Sequence, residues 1–164
     1  MHNASMILMK NLVASTRLMG GTVVDVGSQD INGTYRGLFG PSWKYIGVDQ
    51  VKGKNVDIVM TSEYSIPLSE ESSDVVISGQ TIEHCRNPFK LVSEMARILK
   101  PQGTMILIAP FKWSVHRYPI DCWRFLPDGM KCLFDNAGIS LVKSEIMSSK
   151  NPNDVDCYAI GRKP

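Results

Sequence analysis

Two short runs, Asp74–Ser78 (DVVIS) and Thr104–Ala109 (TMILIA), are nearly continuous in apolar or β-branched residues. Runs of this kind suit strands buried on both faces. Between them, Phe89, Leu91, Val92, Met95, Ile98 and Leu99 recur at helical spacing within Pro88–Lys100. Asn87 is a good cap, Pro88 sits at the first helical position, and Pro101 and Gly103 stop the helix. Strand, helix, strand with short joints is the unit of a parallel sheet.

The rest of the chain extends this unit. Val23–Val26 and Tyr45–Val48, closed by Asp49, read as strands, and Asp57–Met60 as a weaker one. An irregular stretch follows Pro110, and then a helix over Pro127–Asn136 ended by Gly138. Leu141–Met147 and Asp156–Gly161, joined by the turn-rich SSKNPND, form an antiparallel hairpin. Near the N-terminus Met6, Met9 and Val13, with Leu8 and Leu12, mark one face of a short helix within residues 1–20. The expectation is a single α/β domain over residues 1–164 with a doubly wound, mostly parallel sheet.

Bulk properties narrow the function. A chain of 164 residues supports one domain with a real core. The net charge is +2, so nothing marks a nucleic-acid or membrane binder. No apolar run reaches the roughly 20 residues of a membrane span. The N-terminal apolar stretch is broken by Lys10 and Asn11, which argues against a signal peptide. The four cysteines, Cys85, Cys122, Cys132 and Cys157, show no CxxC pair and no metal-ligand spacing. Reduced thiols in a cytoplasmic protein, with no metal site, are expected.

The stretch VVDVGSQDING, Val23–Gly33, has the order of a nucleotide-binding turn: an apolar run, a glycine, then polar residues to open a helix. In an open parallel sheet, ligands sit beyond the carboxyl ends of the strands. Asp49 ends the second strand at close to the roughly 20-residue spacing of a ribose-binding acid. A nucleoside is therefore expected. A pyrophosphate is not, because GxGxxG and GxxxxGK[ST] are absent and Asp25 would repel it. S-adenosylmethionine fits better: it carries adenosine, a sulfonium, an ammonium and one carboxylate. Backbone N–H groups of Gly27, Ser28 and Gln29 would hold the carboxylate, and Asp25 would attract the ammonium.

VVDVGSQD, YIGVDQ and IPLSEESSDVVISGQTIEHCRNP followed by KLVSEMARILKPQGTMILIAP resemble the class I S-adenosylmethionine-dependent methyltransferases, of the compact small-molecule type called methyltransferase domain 11. The resemblance implies a Rossmann-like seven-stranded sheet of order 3-2-1-4-5-7-6 with strand 7 antiparallel. It adds Gln50, Gly79 and Gln80 to the cofactor contacts. The acid that often follows the third strand is replaced here by Met60-Thr61-Ser62, which leaves Ser62 or the main chain for adenine. The segment QVKGKNV after Asp49 is too short for the usual second helix, and residues 1–20 form a reduced cap.

FKWSVHRYPIDCWRF, after the fifth strand, is long and aromatic for a connector, as a binding loop would be. It is similar to a segment of methyltransferases associated with glycan pathways. Here His116 is the candidate base. Asp121 would orient it or contact acceptor hydroxyls, and Arg124 would bind an anionic group or pair with Asp121 to hold the loop. The function expected is methyl transfer to a small-molecule acceptor, a hydroxyl of a sugar or glycan precursor, by a monomer or homodimer. Two other readings stand beside it: a non-catalytic subunit of the same fold, and an NAD-type oxidoreductase, which shares the strand-two acid but lacks GxGxxG.

Overall fold

The computed structural model describes residues 3–147 and 153–164. Seven strands form one sheet: β1 (Gly21–Val26), β2 (Trp43–Asp49), β3 (Ile58–Val59), β4 (Ser73–Gly79), β5 (Leu99–Lys112), β6 (Ser140–Ile146) and β7 (Val155–Arg162). Their order is β3-β2-β1-β4-β5-β7-β6. β1 pairs in parallel with β2 and β4, and β4 with β5. β7 runs antiparallel to both β5 and β6. The expected order and the antiparallel seventh strand are both present. Part of the hairpin connection SSKNPND falls outside the described residues.

Strand alternation divides the core into two layers. Val24, Val26, Val48, Val76, Met105 and Leu107 face one side. There they meet Leu91, Val92 and Met95 of α2 (Pro88–Ile98), and Leu133 and Phe134 of α3 (Pro127–Asn136). Val23, Val75, Ile77, Ile106 and Ile108 face the other, under Met9 and Leu12 of α1 (Asn3–Ser15). The N-terminal apolar stripe is therefore a lid on the chain's own sheet. The Asn87 side chain caps α2 by accepting the N–H of Lys90, as its position before Pro88 predicts.

Several strands run longer than expected, β5 most of all at Leu99–Lys112 against Thr104–Ala109, and two further differences concern helices. α2 stops at Ile98 instead of Lys100, because Leu99 is extended and already pairs with Ser73 at the start of β5. No helix opens after the first turn; between β1 and β2 there is only a 3-10 turn, Arg36–Leu38. Residues 28–42 carry Gly33, Gly37, Gly40 and Pro41 and no helical apolar stripe, so the segment has little to gain from a helix. It covers the sheet by inserting Tyr35, fully buried, whose hydroxyl meets Ser5 Oγ of α1 at 2.7 Å.

Candidate functional site

The strand order reverses between β1 and β4, and a cavity of about 420 Å³ opens at the carboxyl ends of the parallel strands. Gly27, Gln29, Asp49, Gln50, Gly79 and Gln80 line it from the strand ends. Ile31, Val51, Met60 and Leu91 give it apolar wall, and His84, Trp113, His116, Arg117 and Tyr118 close the far side. Its size is that of a small-molecule or cofactor site.

Gly27 is a steric requirement of this floor. It has φ +83°, and a Cβ there would lie 2.0 Å from Thr81 Oγ1. The turn after β1 thus passes directly against the turn after β4. Asp49 joins the same turn from β2: its Oδ2 accepts the N–H of Gln29 at 3.0 Å and its Oδ1 that of Val51 at 3.2 Å.

The anion cradle expected from Gly27, Ser28 and Gln29 does not form. The N–H groups of Gly27 and Ser28 both donate to Val48 O, at 2.8 and 3.1 Å, and that of Gln29 to Asp49. All three are spent inside the fold, and without a following helix there is no helix terminus behind them. Ser28 is buried, with its hydroxyl on Asn55 O.

Asp25 is also not among the residues lining the cavity. It shares the α1 side of the sheet with Val23, is 2% exposed, and accepts a hydrogen bond from the Tyr45 hydroxyl. Burial pushes its carboxyl up to about 7, against the opposing effect of that hydrogen bond. Ser62 is exposed and pairs with Ser65 away from the cavity wall. Gln80 reaches the cavity, with φ 59° and its side-chain amide donating to Asp156 at 3.0 Å.

The loop after β5 behaves as a clasped wall. Arg124 holds Asp121 through two contacts, Nη1–Oδ1 at 2.6 Å and Nη2–Oδ2 at 2.8 Å. Its remaining donors go to the carbonyls of Trp113, Ser114 and Trp123. Arg124 therefore locks the loop, and the paired guanidinium holds the Asp121 carboxyl well below the usual range. Asp121 also accepts the backbone N–H of His116 at 2.8 Å. Below, the carbonyl of Glu83 accepts the N–H groups of Cys122 and Trp123, and the Trp123 indole donates to Cys85 O at 2.8 Å.

His116 does face the cavity, and it stands beside Glu83 and His84, a pair whose place after the fourth strand suits a role at the site and a role in packing beside the sheet equally. Glu83, in the 3-10 turn Ile82–His84, is fully buried. His84 Nε2 lies 3.6 Å and His116 Nε2 3.9 Å from Glu83 Oε1. The Glu83 carboxylate, ahead of the opposing effect of burial, raises the His116 pKa above the ordinary value, with help from Ser114 O and Asp121. The signal for Glu83 in the sequence is an acid four residues beyond the end of β4 and adjacent to a histidine.

Similarity to known proteins points the same way. A family model described as a methyltransferase domain matches residues 42–107. An uncharacterized methyltransferase of Mycobacteroides abscessus is 29% identical over 105 residues, 55% of this chain and 40% of that one. Another, from Mycobacterium sp. strain KMS, is 32% identical over 105 residues, 54% of this chain and 38% of its own length. The chain thus spans about two fifths of the length of these relatives. Among solved structures, the YcgJ protein from Bacillus subtilis superposes with a TM-score of 0.74 at 16% identity over 99% of both chains. The 1,6-didemethyltoxoflavin-N1-methyltransferase of Burkholderia thailandensis, solved with bound 1,6-didemethyltoxoflavin and S-adenosylhomocysteine, gives 0.80 at 13% identity over 98% of this chain and 78% of that one. In sequence the chain is similar to methyltransferases, and in fold to solved S-adenosylmethionine-dependent methyltransferases.

Proposed function

We propose that this methyltransferase-like chain binds S-adenosylmethionine in the cavity above β1, β2 and β4 and transfers its methyl group to a hydroxyl of a small-molecule acceptor. Asp49 carries the reading. An ionised carboxylate has about four acceptor sites. Two are taken by Gln29 and Val51, which leaves one on each oxygen for a pair of ribose hydroxyls at the cavity edge. Ile31, Val51 and Met60 supply apolar surface for a purine. Gly27, Gly79 and Thr81 line the cavity where the chain of the cofactor would run, and Gln29 and Asn32 add polar residues to that lining.

The acceptor side lies toward His84, His116 and Tyr118. Methyl transfer asks mainly for alignment of the acceptor with the sulfonium methyl, which supplies up to roughly 7–11 kcal/mol. The acceptor oxygen attacks the methyl carbon, the S–C bond breaks, and its electron pair neutralises the sulfonium. His116 stands where it can take the hydroxyl proton, with Glu83 behind it. Saccharides and their precursors are the first acceptors to screen, because the clasped loop resembles that of methyltransferases in glycan pathways.

Calorimetric titration with S-adenosylmethionine, S-adenosylhomocysteine and NAD side by side tests the proposal. Binding of the two adenosyl ligands, weakened in Asp49→Ala, is expected. A folded protein that ignores both, or that prefers NAD, overturns it.

A further inference from the structure

The Glu83 carboxylate poses a problem that methyl transfer alone does not solve. It is fully buried, and neither of its oxygens accepts a hydrogen bond. A buried carboxylate that accepts no hydrogen bond is costly, and a native fold that keeps one calls for an account of what it binds. Two imidazoles of the cavity wall, His84 and His116, lie within 4 Å of its Oε1.

Both imidazoles are set in one tautomer. His84 Nδ1 lies 2.5 Å from Ile120 O, and His116 Nδ1 lies 3.0 Å from Ser114 O. A carbonyl only accepts, so each Nδ1 carries the hydrogen, and each neutral ring presents the lone pair of Nε2. Those two lone pairs and a Glu83 oxygen all lie within 4.8 Å of one another. A histidine whose outer nitrogen donates to a backbone carbonyl is the usual support of a metal ligand. The rings are held by different elements, His84 by the turn after β4 and His116 by the clasped loop, and they still converge on one carboxylate.

We propose that Glu83, His84 and His116 bind a divalent first-row transition ion, zinc or a close analogue. Two imidazoles and one carboxylate suit such ions at about 2.0–2.2 Å per bond, whereas magnesium and calcium prefer an all-oxygen set. Three protein ligands leave at least one coordination position, and it faces the cavity because both histidines do. That is the arrangement of a catalytic site rather than a closed structural one.

In its catalytic role the site rests on the methyltransferase reading. The ion would hold the acceptor hydroxyl and lower its pKa, so that the proton leaves to solvent. The O–C bond then forms as the S–C bond breaks, with the electron pair retained by sulfur. His116 would serve as a ligand in this case, and the ion would replace it as the means of activating the hydroxyl.

The test is a calorimetric titration of chelator-stripped protein with zinc chloride, with cobalt(II) absorption as a second readout. One ion per chain is expected, together with visible cobalt bands of a four- or five-coordinate site. Removal of one direct ligand should weaken binding by roughly 100-fold or more. Glu83→Gln and His116→Ala are both measured, because Glu83 is buried and its variant needs a folding control while His116 lies on the loop. Absence of binding, or unchanged affinity in a folded variant, overturns the site. S-adenosylhomocysteine is titrated into the same metal-free protein. Cofactor binding without zinc binding sinks only this inference, and zinc binding without cofactor binding sinks only the methyltransferase reading.

Discussion

The Asp49 carboxylate, at the end of β2, accepts the backbone N–H of Gln29, in the turn after β1, at 3.0 Å. One side chain therefore both shapes the floor of the cavity and presents acceptor sites to its contents. Asp49→Ala is expected to weaken S-adenosylhomocysteine binding by about 10–100-fold, the worth of one or two hydrogen bonds to a charged group. Asp49→Asn should fall between, since one oxygen remains. A calorimetric affinity that does not change in either variant would remove Asp49 from the site.

Asp25 gives a pH prediction. Its carboxyl is pushed up to about 7 by burial. The folded state therefore binds this proton more tightly than the unfolded chain, whose value is about 3.9. The associated stability is full below about pH 4 and is lost as pH rises to about 7. Asp25→Asn cannot ionise, so its stability relative to the parent should climb between pH 5 and pH 8, by on the order of 2–3 kcal/mol. Urea unfolding at the two pH values measures the difference, and a gap that stays constant would contradict a neutral Asp25 in the fold.

Arg124→Ala should release the loop. Asp121, whose side chain is 1% exposed, would lose its counter-charge. Breaking such a pair by removing one partner costs about 3 kcal/mol. Arg124→Lys should recover little, because one ammonium cannot reach Asp121 and three carbonyls together. Hydrogen exchange over residues 113–125 should rise in both variants; protection equal to that of the parent would mean that the clasp does not hold the loop.

Gly27→Ala should damage the fold of the floor as well as ligand binding. The new methyl would meet Thr81, and φ +83° is itself costly for alanine by about 1–2 kcal/mol. Gly27→Ala with Thr81→Ala should regain part of the steric cost, because the Cβ of residue 81 stays 2.7 Å from the new methyl, and leave the backbone part. Thermal melts of the single and double variants separate the two, and a single variant as stable as the parent would count against the close approach of these turns.

Much of this was readable in the chain. The runs VVDV, DVVIS and TMILIA gave their strands because β-branched residues crowd a buried sheet, and Asn87-Pro88 marked the start of α2. The face on which each side chain lies was less accessible. Val23 and Asp25 share one side of β1 and Val24 and Val26 the other, so alternation sends Asp25 toward α1, whereas its place beside the glycine turn suggests the ligand. The N–H groups after Gly27 were assigned to a carboxylate because the sequence does not show that Val48 and Asp49 already use them. His116 could be picked from its setting among aromatics, but its meeting with His84 over Glu83 depends on a loop folding back across 32 residues of chain, which no local pattern records.

The clasp also has a bearing on how such a protein could diversify. Arg124 and Asp121 pin one end of the loop to Trp113 and Ser114 at the other, and the Glu83 carbonyl ties Cys122 and Trp123 to the turn beneath. What remains between the fastened ends is a brief arc, Val115 to Ile120, four of whose six residues line the cavity. His116 apart, new side chains in that arc would retune which acceptor the proposed site admits, while the sheet beneath inherits no strain from the change.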